Sequence, residues 1–213
     1  MKKIVSILFA MIIFTSSAYS AGLVGLKLGN GDLEGTKLAT VNAVGGNDVQ
    51  TSGSADHLFG AIFAEVNLND SPVNVGLELV PLTGTISVVN DDSDASVEVS
   101  NLTTAYLLAA KELGNGGSVY AKLGYSHADI DNAKQSNGTT TINSFSDSLE
   151  GPMVGIGFQT PENSLGLVFR AEATMSEFDD VEVKTTDTDG LVETKKANDI
   201  EFQTFTVSIA KKF

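Results

Sequence analysis

The stretch IEFQTFTVSIAKKF, residues 200–213, puts Phe205, Val207 and Ile209 on one face and Thr204, Thr206 and Ser208 on the other. Alternation at period two is the mark of a strand whose two faces meet different surroundings. The stretch then stops on Phe213, in phase with the apolar face, although chain ends ordinarily fray into water. An apolar side chain at such a place implies a strand that is paired, and packed against something apolar, to its last residue.

The same grammar recurs upstream. LVGLKLGN sets Val24, Leu26 and Leu28 against Gly25, Lys27 and Gly29. HLFGAIFAEVNLN sets Leu58, Gly60, Ile62, Ala64, Val66 and Leu68 against His57, Phe59, Ala61, Phe63, Glu65 and Asn67. VNVGLELVPL sets Val73, Val75, Leu77 and Leu79 against Asn74, Gly76 and Glu78. SVYAKLGYS sets Val119, Ala121, Leu123 and Tyr125 against Tyr120, Lys122, Gly124 and Ser126. LGLVFRAEATM sets Leu165, Leu167, Phe169, Ala171, Ala173 and Met175 against Gly166, Arg170, Glu172 and Thr174. Segments near 98–111 and 150–160 alternate less cleanly, and AYLLAAK within the first also suits a short helix. With them the count reaches about eight strands, with bounds uncertain by about 2–4 residues.

The amino end is of another kind. MKKIVSILFAMIIFTSSAYSA has two lysines, an apolar run from Ile4 to Phe14, and Ala18 and Ser20 spaced like a cleavage site. That is a secretory signal peptide over residues 1–20, the run being short of the ~20 residues of a membrane-spanning helix. Removal of Lys2 and Lys3 takes the formal net charge from −14 to −16. So acidic a chain repels phosphates and is not expected to bind nucleic acid. The chain has no cysteine, hence no disulfide framework and no thiolate metal site. Its 21 glycines and 4 prolines suit tight turns and long uninterrupted sheet.

Connection lengths alternate along the chain. Short ones fall at NDSP (69–72), ELGNGG (112–117) and TPENS (160–164); long polar ones fall near 42–55, 84–97, 129–148 and 178–199. Up-and-down strands gather the short turns at one end and the long loops at the other, the layout of an outer-membrane barrel. Residues 21–213 are therefore read as all-β: one eight-stranded antiparallel up-and-down transmembrane β-barrel. A lipocalin-like barrel, with the apolar face buried, is the alternative. The membrane reading is favoured because the apolar faces stay free of charge for about 9–11 residues, the span of a tilted strand. The opposite faces hold Lys27, Glu65, Glu78, Lys111, Lys122, Arg170 and Glu172 among small residues. In so narrow a barrel these side chains fill the interior, and opposite charges there must pair. The expectation is an internal salt-bridge network and no open pore.

A closed barrel joins its last strand to its first, and a terminal Phe suits an aromatic girdle. Phe205, Val207, Ile209 and Phe213 resemble the carboxyl-terminal signal of bacterial outer-membrane barrels, which the barrel-assembly machinery reads. Lys211 departs from the usual apolar residue two before the end; it can snorkel to the interface. The segments SVYAKLGYSHADI and GPMVGIGFQTPENSLGLVFRAEATMSEFDDV, with the last strand, resemble the final four strands of opacity-type and outer-membrane-protein-A-like barrels. The shared pattern is a G-x-G strand, a short turn, and a strand with Arg170-Ala171-Glu172. It covers roughly residues 118–213 well and the first half by alternation alone. The resemblance implies a small porin-like or opacity-family barrel standing alone, with no peptidoglycan-binding domain after Phe213. It also implies residence in the bacterial outer membrane, next to lipid and lipopolysaccharide.

Some small barrels of that membrane are lipid A deacylases or acyltransferases, which need a His with a Ser nucleophile near an acid. Here His127 lacks the Ser two residues on, Ser126 takes the opposite face, and His57 sits in a loop-rich context. No catalytic residue is assigned. The acidic runs NDDSDAS (90–96), FDDVE (178–182) and DTDG (187–190) are read as hydrated loop surface. Asp187, Asp189 and Gly190 echo a calcium loop without its remaining spacing, and Glu193 is too close to close one. No metal site or cofactor is assigned, beyond loose divalent cations bridging to lipopolysaccharide. The role expected is structural, or surface recognition of an extracellular ligand through acidic loops. The alternatives are a narrow channel for small solutes and a soluble exported calycin-like ligand binder.

Overall fold

Strands with an apolar outer face must satisfy every backbone group within the sheet, because a surrounding apolar medium offers none. The structure, a computed structural model, shows how this chain does so. It describes residues 22–40, 49–68, 71–90, 93–135, 141–145, 148–186, 190 and 192–213; the signal segment 1–20 lies outside them. The described strands are β1 (Gly22–Thr40), β2 (Val49–Asn67), β3 (Val73–Asn90), β4 (Ser93–Glu112), β5 (Ser118–Gln135), β6 (Thr141–Phe145), β7 (Ser148–Gln159), β8 (Leu167–Phe178), β9 (Val181–Thr186) and β10 (Val192–Lys212). All neighbours are antiparallel, in the order β1-β2-β3-β4-β5-β7-β8-β10, and β10 closes on β1. β9 takes over from β8 beside β10, and β6 pairs with β9 as β7 pairs with β8. The ring is thus a closed eight-stranded barrel.

The seam is tight to its last residue. Gly22 N–H donates to the Phe213 carbonyl at 3.0 Å, and Phe213 N–H donates to the Gly22 carbonyl at 3.1 Å. From there the register runs from Leu23↔Lys212 to Thr40↔Thr194, slipping once between Glu34 and Thr36.

One sequence expectation changes. Much of what reads as long loop is paired strand: Ala39 faces Val49, Asn90 faces Ser93, β9 occupies 181–186 and the start of β10 occupies 192–197. The sequence there does not alternate in hydropathy, yet the backbone still pairs. The reading of 98–111 as a strand holds: it is strand throughout, part of β4, and AYLLAAK forms no helix. Its weak pattern has a local cause. Val99 and Leu102 both point inward although one is odd and the other even, because the ladder with β5 slips between Ser100 and Thr103. Asn101 sits in the slip with φ 54°, a left-handed geometry that Asn tolerates, and its Nδ2 donates to Asp129 at 3.0 Å.

The wall is not uniform in height. β2 and β3 pair from Asn67↔Asn74 only as far as Ile62↔Leu79 among the described residues. Above that level stand Val80 and Pro81, the latter with no N–H to donate.

Candidate functional site

Alternation sends every second side chain into the lumen, and the lumen is layered. Toward the turn end Leu23, Phe63, Val168 and Ala210 bury one another. Around the Phe63 ring Lys27 from β1, Glu65 from β2, Glu78 from β3, Lys122 from β5, and Arg170 and Glu172 from β8 converge. The set carries three cations and three carboxylates, so it is neutral as a unit.

The pairing is dense. Lys27 Nζ lies 2.5 Å from Glu78 and 2.6 Å from Glu172. Lys122 Nζ lies 2.7 Å from Glu172 and 3.7 Å from Glu78. Arg170 grips Glu65 with both terminal nitrogens, at 2.6 and 2.9 Å, the bidentate form that adds geometric specificity to charge. Its Nε donates to Gln159 at 2.8 Å. Buried charges gain from pairing only when their remaining lone pairs and protons are satisfied too. Two tyrosines that pattern reading passed over supply this: Tyr106 donates to Glu65 at 2.8 Å and Tyr120 to Glu172 at 3.0 Å. Their rings also face cations, with Lys122 Nζ 4.1 Å from the Tyr106 centroid and Arg170 Cζ 5.2 Å from that of Tyr120.

Glycines make the room. Tyr106 lies across from Gly76 and Tyr120 across from Gly157. A Cβ on Gly76 would meet the Tyr106 ring at 2.2 Å, and one on Gly157 the Tyr120 ring at 2.3 Å.

Above the charged layer a shelf of small hydroxyls crosses the lumen, Thr104 to Ser126 at 2.8 Å and Ser126 to Ser176 at 3.5 Å. An apolar plug tops it. Phe59, Val80, Val99, Leu102, Ile130, Leu149, Phe178, Val181 and Ile200 bury one another, with Leu33 and Phe202 against them. The alternation on β2 turns Phe59 inward but does not announce the rest of this layer, because Phe178 and Val181 also point inward from opposite phases, on either side of the break between β8 and β9.

Lys111 requires a correction. It does not join the lumen network but stands exposed on the outer wall. On β4 the even residues Thr104, Tyr106 and Leu108 are buried, so Lys111 follows Leu107 and Ala109 outward, opposite Val119. Lying next to the turn, it can carry its charge past the apolar belt. The difference is measurable. Lys111→Met is expected to shift unfolding stability by no more than about 0.5 kcal/mol, the surface range. Lys122→Met leaves Glu78 and Glu172 to share Lys27 alone, an uncompensated negative charge in the lumen, and is expected to cost about 3 kcal/mol or more. Urea titration of the barrel in detergent reads both, and equal costs would put Lys111 inside.

His127 is on the outer wall, its Nδ1 2.9 Å from Glu150 and its Nε2 3.5 Å from Asp129, while Ser126 faces the lumen. The side chain of His57, like Asp187, Asp189 and Glu193, lies outside the described set. Among the described residues no three His, Asp or Glu side chains converge in a way that could hold a metal. Phe205, Val207, Ile209 and Phe213 all stand exposed on the outer wall beside the closing seam.

That outer wall settles which medium surrounds the barrel. Leu26, Leu58, Leu123, Ile156 and Phe205 are each more than 60% exposed, and Leu28, Leu107, Val154, Phe169 and Val207 widen the same band. A soluble protein does not present an apolar surface all the way round, while six charges, five of them buried, fill the inside. The soluble calycin-like alternative, with its apolar face inward, is thereby overturned.

Comparison with known proteins agrees. The chain is similar in structure to the outer membrane protein OprG from Pseudomonas aeruginosa, at 12% identity over 92% of this chain and 98% of that one, with a TM-score of 0.66. It also aligns with Neisserial surface protein A at 13% identity over 88% of this chain and 97% of that one, with a TM-score of 0.47. No curated protein matches the chain. The family described as outer membrane protein beta-barrel domain matches residues 6–213. Closed ring, apolar exterior and family match coincide: this chain belongs to the outer membrane protein beta-barrel family and resides in the bacterial outer membrane.

Proposed function

We propose that the barrel is sealed, that it performs no catalysis, and that its role is structural or one of surface interaction. The observation that carries this reading is the stacking of two unlike layers across one lumen. A solute would have to separate buried ion pairs and then pass a plug of interlocked apolar side chains. The separation of Ser126 and His127 to opposite faces of the wall supports the absence of a serine–histidine pair.

Two kinds of contact fit the exterior. On the hairpin side of the belt, Glu34 faces Glu201 and Glu201 faces Glu177. Like charges directly across a ladder repel, so divalent cations loosely bridging this row to anionic lipopolysaccharide would relieve it. The exposed face of Phe205, Val207, Ile209 and Phe213 fits recognition by the barrel-assembly machinery. The paired hairpins beyond the membrane give an extracellular ligand a firm platform.

Reconstitution into planar lipid bilayers tests the seal. The expected record is a flat baseline for a preparation that shows the heat-dependent gel shift of a closed barrel; steady unitary conductance would overturn the reading. One observation favours passage of small solutes instead. Phe59 and Val80 of the apolar plug lie where the β2–β3 ladder has already ended, beside an unpaired section of wall.

A further inference from the structure

The outer wall near the turn end is not evenly convex. A groove of about 750 Å³ opens there across β4, β5, β7 and β8. Cross-strand register explains its shape. Ala109 faces Ala121, Ala121 faces Ile156, and Ile156 faces Ala173. One row nearer the turns, Phe158 faces Ala171. Ile156 and Phe158 therefore form a single ridge along β7, with Ala109 and Ala121 on one side, where Val119 stands between Lys111 and Phe158, and Ala171 and Ala173 on the other. β5 and β8 lie two strand spacings apart, about 10 Å. Phe205 walls the far side of the second cleft.

The groove has a charged end. Lys111 lines it at the turn side, exposed, and among the described residues no carboxylate pairs with it. By contrast Lys212, at the same end of the barrel, is paired with Glu162 at 3.0 Å. In the outer membrane the short turns face the periplasm, so Lys111 meets the phosphate level of the inner leaflet. A cation at the head of the first cleft, with a second apolar cleft across the ridge, is complementary to a molecule with one anionic head and two hydrocarbon chains.

We propose that this groove holds an anionic two-chain phospholipid of the periplasmic leaflet. Its phosphate rests on Lys111 Nζ, and its chains lie on either side of the Ile156–Phe158 ridge. The site stands on the outer wall and does not depend on whether the lumen conducts.

Native mass spectrometry of the detergent-solubilised barrel, with dioleoyl phosphatidylglycerol or dioleoyl phosphatidylcholine added, tests this. The wild-type barrel is expected to retain the anionic lipid about fivefold more than the zwitterionic one, the scale of one lysine at a membrane surface. Lys111→Ala should abolish the preference, whereas Lys211→Ala, an exposed lysine outside the groove, should keep it. Ala121→Phe should reduce retention of both lipids, with the heat-dependent gel shift confirming that the barrel has closed; Ala173→Leu replaces it if that shift is lost. Equal retention of the two lipids by the wild type would overturn the proposal. So would an equal loss of preference in Lys211→Ala, or dimer masses in place of lipid adducts.

Discussion

Arg170→Leu is expected to cost about 3–5 kcal/mol of unfolding stability, because it leaves Glu65 charged, buried and without its cation. Glu65 is 2% exposed, and both of its oxygens are engaged by the guanidinium. What remains to it is the Tyr106 hydroxyl at 2.8 Å and a long contact from Asn74 at 3.4 Å. Neither neutralises a charge enclosed by protein and, beyond the wall, by hydrocarbon. The partner substitution separates the cost of an orphaned charge from the worth of the pair. Arg170→Leu combined with Glu65→Leu should recover most of the loss, since a well-packed apolar pair often replaces a buried ion pair at little cost. It should not recover all, because Tyr106 then loses its acceptor, a deficit of about 1–3 kcal/mol. Urea unfolding midpoints of the four proteins, measured in the same detergent, close the cycle. A single substitution within about 1 kcal/mol of the wild type would mean that water reaches Glu65 and that the lumen is open.

This core was partly legible in the sequence, and the boundary of legibility is physical. Where the chain crosses the membrane its two faces meet media that differ sharply, so alternation is clean. On β2, β5 and β8 parity alone sorts Glu65, Lys122, Arg170 and Glu172 inward and Ile62, Leu123 and Phe169 outward. Lys111 reads as inward because its charge outweighs its parity; Leu107 and Ala109 carry the correct signal four and two residues before it. The plug escaped notice for the opposite reason. Parity is lost where the ladder slips at Asn101 and where β8 breaks before β9, so Val99 and Val181 enter the lumen out of phase with the strands below. The extent of the hairpins was hidden because a strand with water on both sides has no hydropathic contrast to display. Tyr106 and Tyr120 were readable as inward but not as partners, since no spacing on β4 or β5 reports the distance to Glu65 or Glu172 across the lumen.

Gly157→Val is expected to damage the barrel severely although it adds no charge and removes none. A Cβ at this position would fall 2.3 Å from Tyr120 Cζ and 2.4 Å from its hydroxyl oxygen. The ring has nowhere to go, because Arg170 stands over its face at 5.2 Å and Glu172 holds its tip at 3.0 Å. Overpacking alone typically costs about 1–3 kcal/mol. Loss of the Tyr120 hydrogen bond to a charged acceptor adds about 1.5–3 kcal/mol. Together they predict about 3 kcal/mol or more, the larger figure if Arg170 is also displaced from Glu65. Gly60→Ala is the matched control: it too is a strand glycine, but it faces outward, and its nearest Cβ contact is the Lys27 carbonyl at 3.8 Å. That change is expected to stay within about 0.5 kcal/mol. Exchanging volume across the ladder supplies the decisive arm. Gly157→Ala with Tyr120→Leu should be more stable than the sum of the two single changes predicts, because the shortened partner vacates the space that the new methyl needs. Additive costs would mean that the ring and the glycine do not touch, and that the lumen is looser at this level than its hydrogen bonds imply.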